Sequence, residues 1–218
     1  MKRVVVAAAL LAACAPGEGD DAPPEQGDAP QCTEAHNIAS LPPVLREASG
    51  VAASIRHPGI LWVHNDSGEP VVFAIDTMGN VRGRIMLPVG NGDWEDSEVA
   101  HCGEGSCIYL GAIGDNRQAR QDRAILRFPE PDITATATVR PVAFRYRVPG
   151  GAQDMEALFV LPGERMFVIT KGRSGPVTLF SFPDPPSTDD VNTLAPVQQL
   201  TAGLVQLPDM VTGAGATP

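Results

Sequence analysis

The chain has 218 residues, 43% of them hydrophobic, and a formal net charge of −10 at pH 7. This acidic balance argues against nucleic acid and anionic lipid headgroups as partners, because a negative protein surface repels both. It suits cation binding, although it is also a common way for a protein to remain soluble.

The N-terminus has the pattern of an exported lipoprotein. The residues MKR precede an apolar run that is too short to span a bilayer as a helix. The stretch LAAC (residues 11–14) resembles a bacterial lipobox, which implies a signal peptide over residues 1–13 and lipidation of Cys14. An ordinary secretory signal is the alternative. The lipobox predicts a membrane anchor in the bacterial cell envelope, and Ala15 after the cysteine favours the outer membrane.

Residues 14–37 predict a tether. They are rich in Pro, Gly and acidic residues and have no apolar periodicity. Such a segment cannot bury enough surface to offset the entropy of ordering, so we expect it to be disordered. The folded domain is therefore expected over residues 38–218.

Beyond the tether the sequence predicts strands throughout. Short apolar runs alternate with Gly, Pro, Asn and Asp, and helical periodicity is nearly absent. The predicted strands are 44–54, 60–66, 71–77 and 81–88; then 94–102, 106–113, 124–130 and 137–148; then 154–162, 165–172, 177–184 and 194–203. A partial unit follows from residue 209.

These strands repeat as a unit of four. The first strands of successive units start near Ser49, Glu95, Glu156 and Thr212. Four strands in a repeat of about 40 to 50 residues are typical of a β-propeller blade, and a β-sandwich is the competing architecture. We therefore expect an all-β fold, an incomplete propeller of about three four-stranded blades plus the start of a fourth. Because propellers use about four to eight blades, we expect a truncated chain or a fragment.

The cysteines predict one disulfide. Cys102 and Cys107 flank a Gly-Glu-Gly-Ser turn between two apolar runs, so they can face each other across a hairpin. An oxidising compartment permits the bond. Cys32 lies in the tether and is left over, and no CxxC pair or His/Cys cluster indicates zinc.

Polar residues recur where first strands begin and second strands end. In an antiparallel hairpin these points lie at the same end, so we expect the side chains to gather on one rim of a propeller channel. The candidates are Asn65, Asp66, Asp93, Glu95, Asp96, Asp115, Asn116, Asp154 and Glu156, with Lys171 as a basic partner. Calcium prefers such oxygen ligands and is the expected metal if the rim binds one. A purely structural role, capping turns and free backbone N–H groups, is the alternative.

Paired carboxylates at the rim can also serve as general acid and base. The sequence has no GxSxG motif that would mark a nucleophilic serine. Ser67 follows His64 closely, but adjacency at the end of a strand does not predict a catalytic pair. The sequence leaves no catalytic residue assigned.

Several motifs together resemble a known group of proteins. The stretches EASGVAAS, HNDSG, DWED, IGDN and DMEAL, in this order, are similar to those of secreted bacterial six-bladed propellers of the Tol-system and NHL-like type. Some relatives in that group are labelled phytase-like or esterase-like. The resemblance covers about residues 47–218 and implies a propeller with further blades.

The chain departs from that family pattern at three positions. The family usually has an acid where Ala112 stands, an apolar residue where Ser97 stands and Asp where Gly215 stands. Two of these changes remove carboxylates that the resemblance would place at the rim.

The sequence thus predicts a lipid-anchored extracytoplasmic binding module for an unknown protein or small molecule, with calcium as the candidate ion at its rim. The first alternative is a metal-dependent phytase-like or esterase-like hydrolase. The second is a truncated fragment without a function of its own.

Overall fold

The computed structural model describes residues 37–121, 123–133, 136–173, 175–200 and 210–216. The predicted signal peptide, Cys14, Cys32 and nearly all of the predicted tether lie outside these ranges. No helix within the described ranges is long and apolar enough to cross a membrane.

The described residues contain strands and one short 3-10 turn, Pro43–Leu45. The strands are β1 (Ala48–Ala53), β2 (Ile60–Asn65), β3 (Val71–Asp76), β4 (Val81–Met86), β5 (Ser97–Cys102), β6 (Gly105–Ala112), β7 (Ala124–Pro129), β8 (Thr136–Thr138), β9 (Val142–Arg147), β10 (Met155–Leu161), β11 (Arg165–Thr170), β12 (Thr178–Ser181), β13 (Asn192–Thr193) and β14 (Ala195–Gln199). The predicted all-β class is confirmed, and each predicted strand overlaps an observed one.

The strands form three separate sheets, none of which closes on itself. The first sheet has the order β1-β2-β3-β4-β8, the second β5-β6-β7-β9-β13 and the third β10-β11-β12-β14. The first four strands in each order are antiparallel to their neighbours. The sequence repeat of four strands therefore corresponds to one sheet per repeat.

The short strand β13 was not predicted, and the short strand β8 was predicted only as the beginning of the strand 137–148. Each is parallel to the last strand of the preceding sheet: β8 pairs with β4 and β13 with β9. The prediction of one continuous strand over 137–148 was wrong, because Pro141 has no N–H to donate and separates β8 from β9. These added strands cover an edge that would otherwise present unpaired backbone groups.

The start of the first predicted strand was also placed too early. Residues 43–45 form the 3-10 turn, which buries Leu45 against Val63 and Phe73 on the free face of the first sheet. The strand itself begins at Ala48.

Two apolar layers hold the three sheets together. Trp62, Ile108 and Leu110 belong to the layer between the first and second sheets. Tyr109 and Leu158 belong to the layer between the second and third. Because successive residues of a strand point to opposite faces, β6 contributes to both layers, which explains its continuous apolar sequence.

The predicted disulfide is confirmed. Cys102 and Cys107 are bonded across the hairpin between β5 and β6, with their Cα atoms 5.8 Å apart. The bond lies at the opposite end of β5 from Asp96, so it takes no part in the acidic end of the sheets.

Candidate functional site

The first strand of each of the three sheets has a backbone irregularity at or just before its N-terminal end. The pairing register shifts at Ser49 in β1 and at Glu156 in β10. Just before β5, Glu95 donates its N–H to Gly111 O at 3.0 Å, and Asp96 O accepts the Gly111 N–H at 2.8 Å. Glu95 and Asp96 thus both pair with the single residue Gly111, which is the arrangement of a β-bulge. Bulges redirect side chains, so these positions project differently from the rest of each strand.

Four carboxylates and one ammonium converge at this level. We call Asp93, Glu95, Asp154, Glu156 and Lys171 the carboxylate cluster. Lys171 Nζ lies 2.5 Å from Glu156 Oε1 and 4.0 Å from Asp154 Oδ2. Glu95 lies close enough to Glu156 and Asp93 for their negative charges to raise its pKa. All five residues were predicted from the sequence to lie at one rim, and in the structure they are neighbours.

Local backbone geometry brings Asp93 and Glu95 together. Asp93 has φ of 71°, a left-handed conformation that is uncommon outside glycine and is often found at functional sites. A Cβ atom on Gly114 would lie 2.5 Å from Glu95 Oε1 and 2.6 Å from Asp93 Cγ. A side chain at residue 114 would therefore force these two carboxylates to move. Ser49 Oγ donates to Glu95 Oε2 at 2.9 Å and fixes the other oxygen of that carboxylate.

The cluster is buried, and this controls its protonation. Glu95, Asp154 and Glu156 are each less than a tenth exposed. Burial, together with the negative charges of Glu156 and Asp93, raises the pKa of Glu95 to about 8. Burial also raises the pKa of Glu156, and the Lys171 ammonium opposes that rise. At pH 7 the cluster can therefore hold a proton on Glu95 while its other carboxylates face a single ammonium.

One oxygen in the cluster has no hydrogen-bond partner. Asp154 Oδ1 accepts the N–H of Asp115 at 2.8 Å, but Asp154 Oδ2 is buried and accepts no hydrogen bond. Lys171, at 4.0 Å, is too far away to donate to it. An unsatisfied buried carboxylate oxygen is costly, so it marks a place where a donor or a cation would be stabilised.

Three of the predicted rim residues have structural roles instead. Asp96 accepts backbone N–H groups from Ser97, Leu158 and Ala214 at 2.9 to 3.0 Å and so joins β5, β10 and the segment 210–216. Asp115 caps its own loop by accepting from Ala119 and Arg120, both at 2.9 Å. Asn116 Oδ1 accepts from Arg173 at 2.8 Å.

Asn65 and Asp66 lie at the same end but outside the cluster. Asn65 holds the segment before β1: its Oδ1 accepts the Glu47 N–H at 3.2 Å and its Nδ2 donates to Val44 O at 2.8 Å. Asp66 O accepts the Trp94 N–H at 2.9 Å, while Asp66 Oδ1 is buried without a partner.

The sequence did not predict a group of polar side chains buried between the first and second sheets. His64, Trp94 and Ser97 are buried, and His64 Nε2, Trp94 Nε1 and Ser97 Oγ have no hydrogen-bond partner. The His64 and Trp94 rings meet edge to face, with centroids 5.9 Å apart. Burial lowers the pKa of His64 to about 4, so its ring is neutral at pH 7. Ser67 donates to Glu47 Oε2 at 3.0 Å, and no Ser67–His64 hydrogen bond forms.

A second unpredicted site is the carboxylate of Glu130, at the other end of the same two sheets. It accepts hydrogen bonds from Ser54 Oγ, Trp62 Nε1 at 2.8 Å, the Arg56 N–H at 3.0 Å and Ser106 Oγ at 2.5 Å. Burial alone would raise the pKa of Glu130, but these hydrogen bonds outweigh it and hold that pKa below its usual value. All of its bonding capacity is used within the protein, so Glu130 joins two sheets and is not a ligand site.

Ala112 and Gly215, at which the resemblance led us to expect acidic residues, have defined positions in the structure. Ala112 ends β6 and is buried in the layer between the first and second sheets. Gly215 lies beside the edge of the second sheet, where a Cβ atom would lie 3.7 Å from Glu98 Oε2. The next N–H, that of Ala216, donates to the same Glu98 oxygen at 3.3 Å. The segment 210–216 thus contacts the acidic residues Asp96 and Glu98 of the second sheet through its backbone N–H groups, although it lacks the expected aspartate.

The comparisons assign no family. Neither a family model nor a curated protein matches this chain. Among the residues that the structure describes, no group of three or more His, Cys, Asp or Glu side chains is arranged to hold a metal ion.

Proposed function

We propose that this chain is a ligand-binding module of the β-propeller type and that its carboxylate cluster binds a cation or the cationic group of a ligand. The observation that carries the proposal is Asp154 Oδ2, a buried carboxylate oxygen without a hydrogen-bond donor, inside a cluster in which carboxylates outnumber the ammonium of Lys171. The described side chains do not form a preorganised metal site, so a bound cation would have to draw the carboxylates together. Calcium is the first cation to test, because its ligands are carboxylate and carbonyl oxygens and its coordination geometry is flexible.

The propeller part of the proposal has its own support. Each sheet is an antiparallel run of four strands, β1 packs beside β5, and β5 packs beside β10. Neighbouring first strands are what blades around a common axis require. An experimental structure tests this: the three first strands should converge on one axis, whereas two sheets stacked face to face would support a β-sandwich instead.

The calcium prediction is a change in stability on adding the ion. Millimolar calcium should stabilise the folded chain by about 1.4 kcal/mol at ten times the Kd, measured as a rise in Tm. Asp154→Asn should remove the rise, since the amide lacks the charge of the unpartnered oxygen. Glu104→Gln, in the exposed turn after β5, is the matched control for loss of one charge.

Two comparisons separate the possible ions. Magnesium should stabilise less, because it demands octahedral geometry and gives up its water reluctantly. If calcium has no effect, ethylammonium chloride tests the organic-cation form of the proposal. The absence of a shift with either cation would refute the proposed function.

A second function, hydrolysis, has one specific observation in its favour. Glu95 has a pKa of about 8 beside Asp93, so one member of the pair can donate a proton while the other accepts one. A metal-dependent phytase-like or esterase-like hydrolase would turn over p-nitrophenyl phosphate or p-nitrophenyl acetate. We expect Glu95→Gln to abolish that turnover, and Glu104→Gln to preserve it. No turnover by the wild-type chain, with or without calcium, would eliminate this alternative.

We also propose that the module is held at the bacterial outer membrane by lipid on Cys14. The support is the lipobox-like stretch of residues 11–14 and the short apolar run before it. In bacterial cells the wild-type chain should fractionate with outer membranes, and Cys14→Ala should move it to the soluble fraction. Cys32→Ala is the control and should leave the chain on the membrane. Equal fractionation of all three forms would contradict the anchor.

A further inference from the structure

The segment 210–216, which we call the strap, runs from the third sheet to the second. β5 and β10 each lie at one edge of their sheets, and they pack beside each other. The strap begins beside the third sheet, where the Val211 N–H donates to Lys171 O at 3.1 Å. It ends on the second sheet, where the Ala216 N–H donates to Glu98 of β5. The strap therefore lies along sheet edges to which no further strand is added in the described part of the chain.

Two carboxylates hold the strap through its backbone. The Ala214 N–H donates to Asp96 Oδ2 at 3.0 Å, and the Ala216 N–H donates to Glu98 Oε2 at 3.3 Å. The donors are two residues apart in the strap and the acceptors are two residues apart on the second sheet, which is the period of an extended chain. Because a hydrogen bond to a carboxylate is stronger than one between neutral groups, this pair of acids recognises the spacing of N–H groups along an extended backbone.

The side chains of the strap contribute less than its backbone. Thr212, Gly213 and Gly215 are exposed. Ala214 and Ala216, which donate to the carboxylates, are half-buried. A Cβ atom at either glycine would lie no closer than 3.7 Å to the nearest carboxylate oxygen, which is an ordinary contact distance. The surface under the strap thus restricts side-chain size at the two donor positions and tolerates other residues between them.

We propose that the surface marked by Asp96 and Glu98 binds an extended peptide segment of a partner protein, and that the strap is an internal competitor for the same place. The partner segment has small residues at the two positions that donate to the carboxylates. The strap itself demonstrates that a segment of this chemistry fits. Its hydrogen bonds use only backbone groups, so a partner segment can form the same ones. Exposed sheet edges recognise extended peptides in this manner, with main-chain bonds for affinity and alternate side chains for specificity.

The first test is a titration of the 218-residue chain with a fluorescein-labelled peptide that has the sequence of residues 210–216 and blocked ends, followed by fluorescence anisotropy. The wild-type chain should bind the peptide weakly, because the strap occupies the surface. The double substitution Ala214→Pro with Ala216→Pro removes both N–H donors from the strap. It should increase the affinity for the peptide at least tenfold. Gly213→Ala leaves both donors in place and should bind the peptide as the wild-type chain does.

Modified peptides test what the surface recognises in the double proline variant. N-methylation at the positions of Ala214 and Ala216 removes the two N–H groups and should weaken binding at least tenfold. Leucine at the same two positions should also weaken binding, because these side chains are half-buried in the strap. Alanine at the positions of Gly213 and Gly215 should leave the affinity within twofold.

Two measurements complete the test. Glu98→Ala, added to the double proline variant, should weaken peptide binding at least fivefold, and Glu104→Ala, in an exposed turn, should not. In the wild-type chain, hydrogen exchange of the Ala214 and Ala216 amides should become faster when millimolar unlabelled peptide displaces the strap. This second measurement needs no proline, so it decides the question if the double variant does not fold.

The proposal is overturned if a folded double proline variant, as judged by circular dichroism, does not bind the peptide. It is also overturned if the N-methylated peptide binds equally well, or if excess peptide leaves the exchange of both wild-type amides unchanged. Asp96 and Glu98 lie outside the carboxylate cluster. Peptide binding and the calcium effect can therefore fail independently of each other.

Discussion

Glu130→Ala is expected to lower the free energy of unfolding by about 3 kcal/mol at pH 7. The carboxylate accepts hydrogen bonds from Ser54, Arg56, Trp62 and Ser106, which belong to both the first and the second sheet. The substitution leaves these donors without an acceptor between the sheets, and a hydrogen bond to a charged group contributes about 1.5 to 3 kcal/mol. Urea unfolding followed by tryptophan fluorescence measures the loss, since Trp62 is one of the donors.

Two variants and a change of pH make this prediction specific. Glu104→Ala removes an exposed carboxylate from the β5–β6 turn and should cost little. Glu130→Gln keeps the size but adds donors, so we expect an intermediate loss of about 2 kcal/mol. The pKa of Glu130 is below its usual 4.5 in the folded protein. Its contribution is therefore present above pH 4.5 and is lost as the pH falls further. A loss below 1 kcal/mol for Glu130→Ala, or one independent of pH, would contradict this account.

The sequence predicted the parts of the fold that depend on local pattern. Alternating apolar residues and turn residues located the strands, and the repeat aligned Ser49, Glu95 and Glu156 as equivalent positions. In the structure Ser49 donates to Glu95, and the charge of Glu156 raises the pKa of Glu95. Equivalent positions in adjacent repeats therefore became spatial neighbours, which is why a periodicity argument could place most of the cluster.

The remaining features depend on contacts that no local pattern encodes. β13 has two residues, and its partner β9 lies more than 40 residues earlier, so its pairing is set by the packing of two sheets. Asp96 and Asp154 look alike in sequence, each preceding the body of a first strand. Yet Asp96 is saturated by three backbone N–H groups, whereas Asp154 keeps a free oxygen. The backbone N–H groups of Leu158 and Ala214, which lie far from Asp96 in sequence, make the difference: they satisfy Asp96, and no equivalent donors reach Asp154 Oδ2.

Lys171→Met should destabilise the chain by about 3 kcal/mol at pH 8, because it leaves buried carboxylates without a counter-charge. Glu156 loses the ammonium that lies 2.5 Å from its Oε1. Asp154 loses the ammonium 4.0 Å from its Oδ2, to which no other ion pair is seen among the described residues. The pKa of Glu156 is already raised by burial and is held down by Lys171. Without Lys171 that pKa rises further, so Glu156 binds a proton more readily in the folded state than in the unfolded one. Proton uptake then replaces the lost ion pair as the pH falls.

The loss of stability in Lys171→Met should therefore be at least halved at pH 5, measured by urea unfolding at both pH values. Lys171→Arg keeps the charge and should retain most of the stability. Adding Glu156→Gln to Lys171→Met removes one uncompensated charge and should recover part of the loss at pH 8, a coupling expected for groups in direct contact. A loss of the same size at pH 5 and pH 8 would mean that Lys171 acts through packing of its aliphatic chain. In that case the carboxylates of the cluster would not be held in their charged form by Lys171, and the excess negative charge that supports cation binding would be absent.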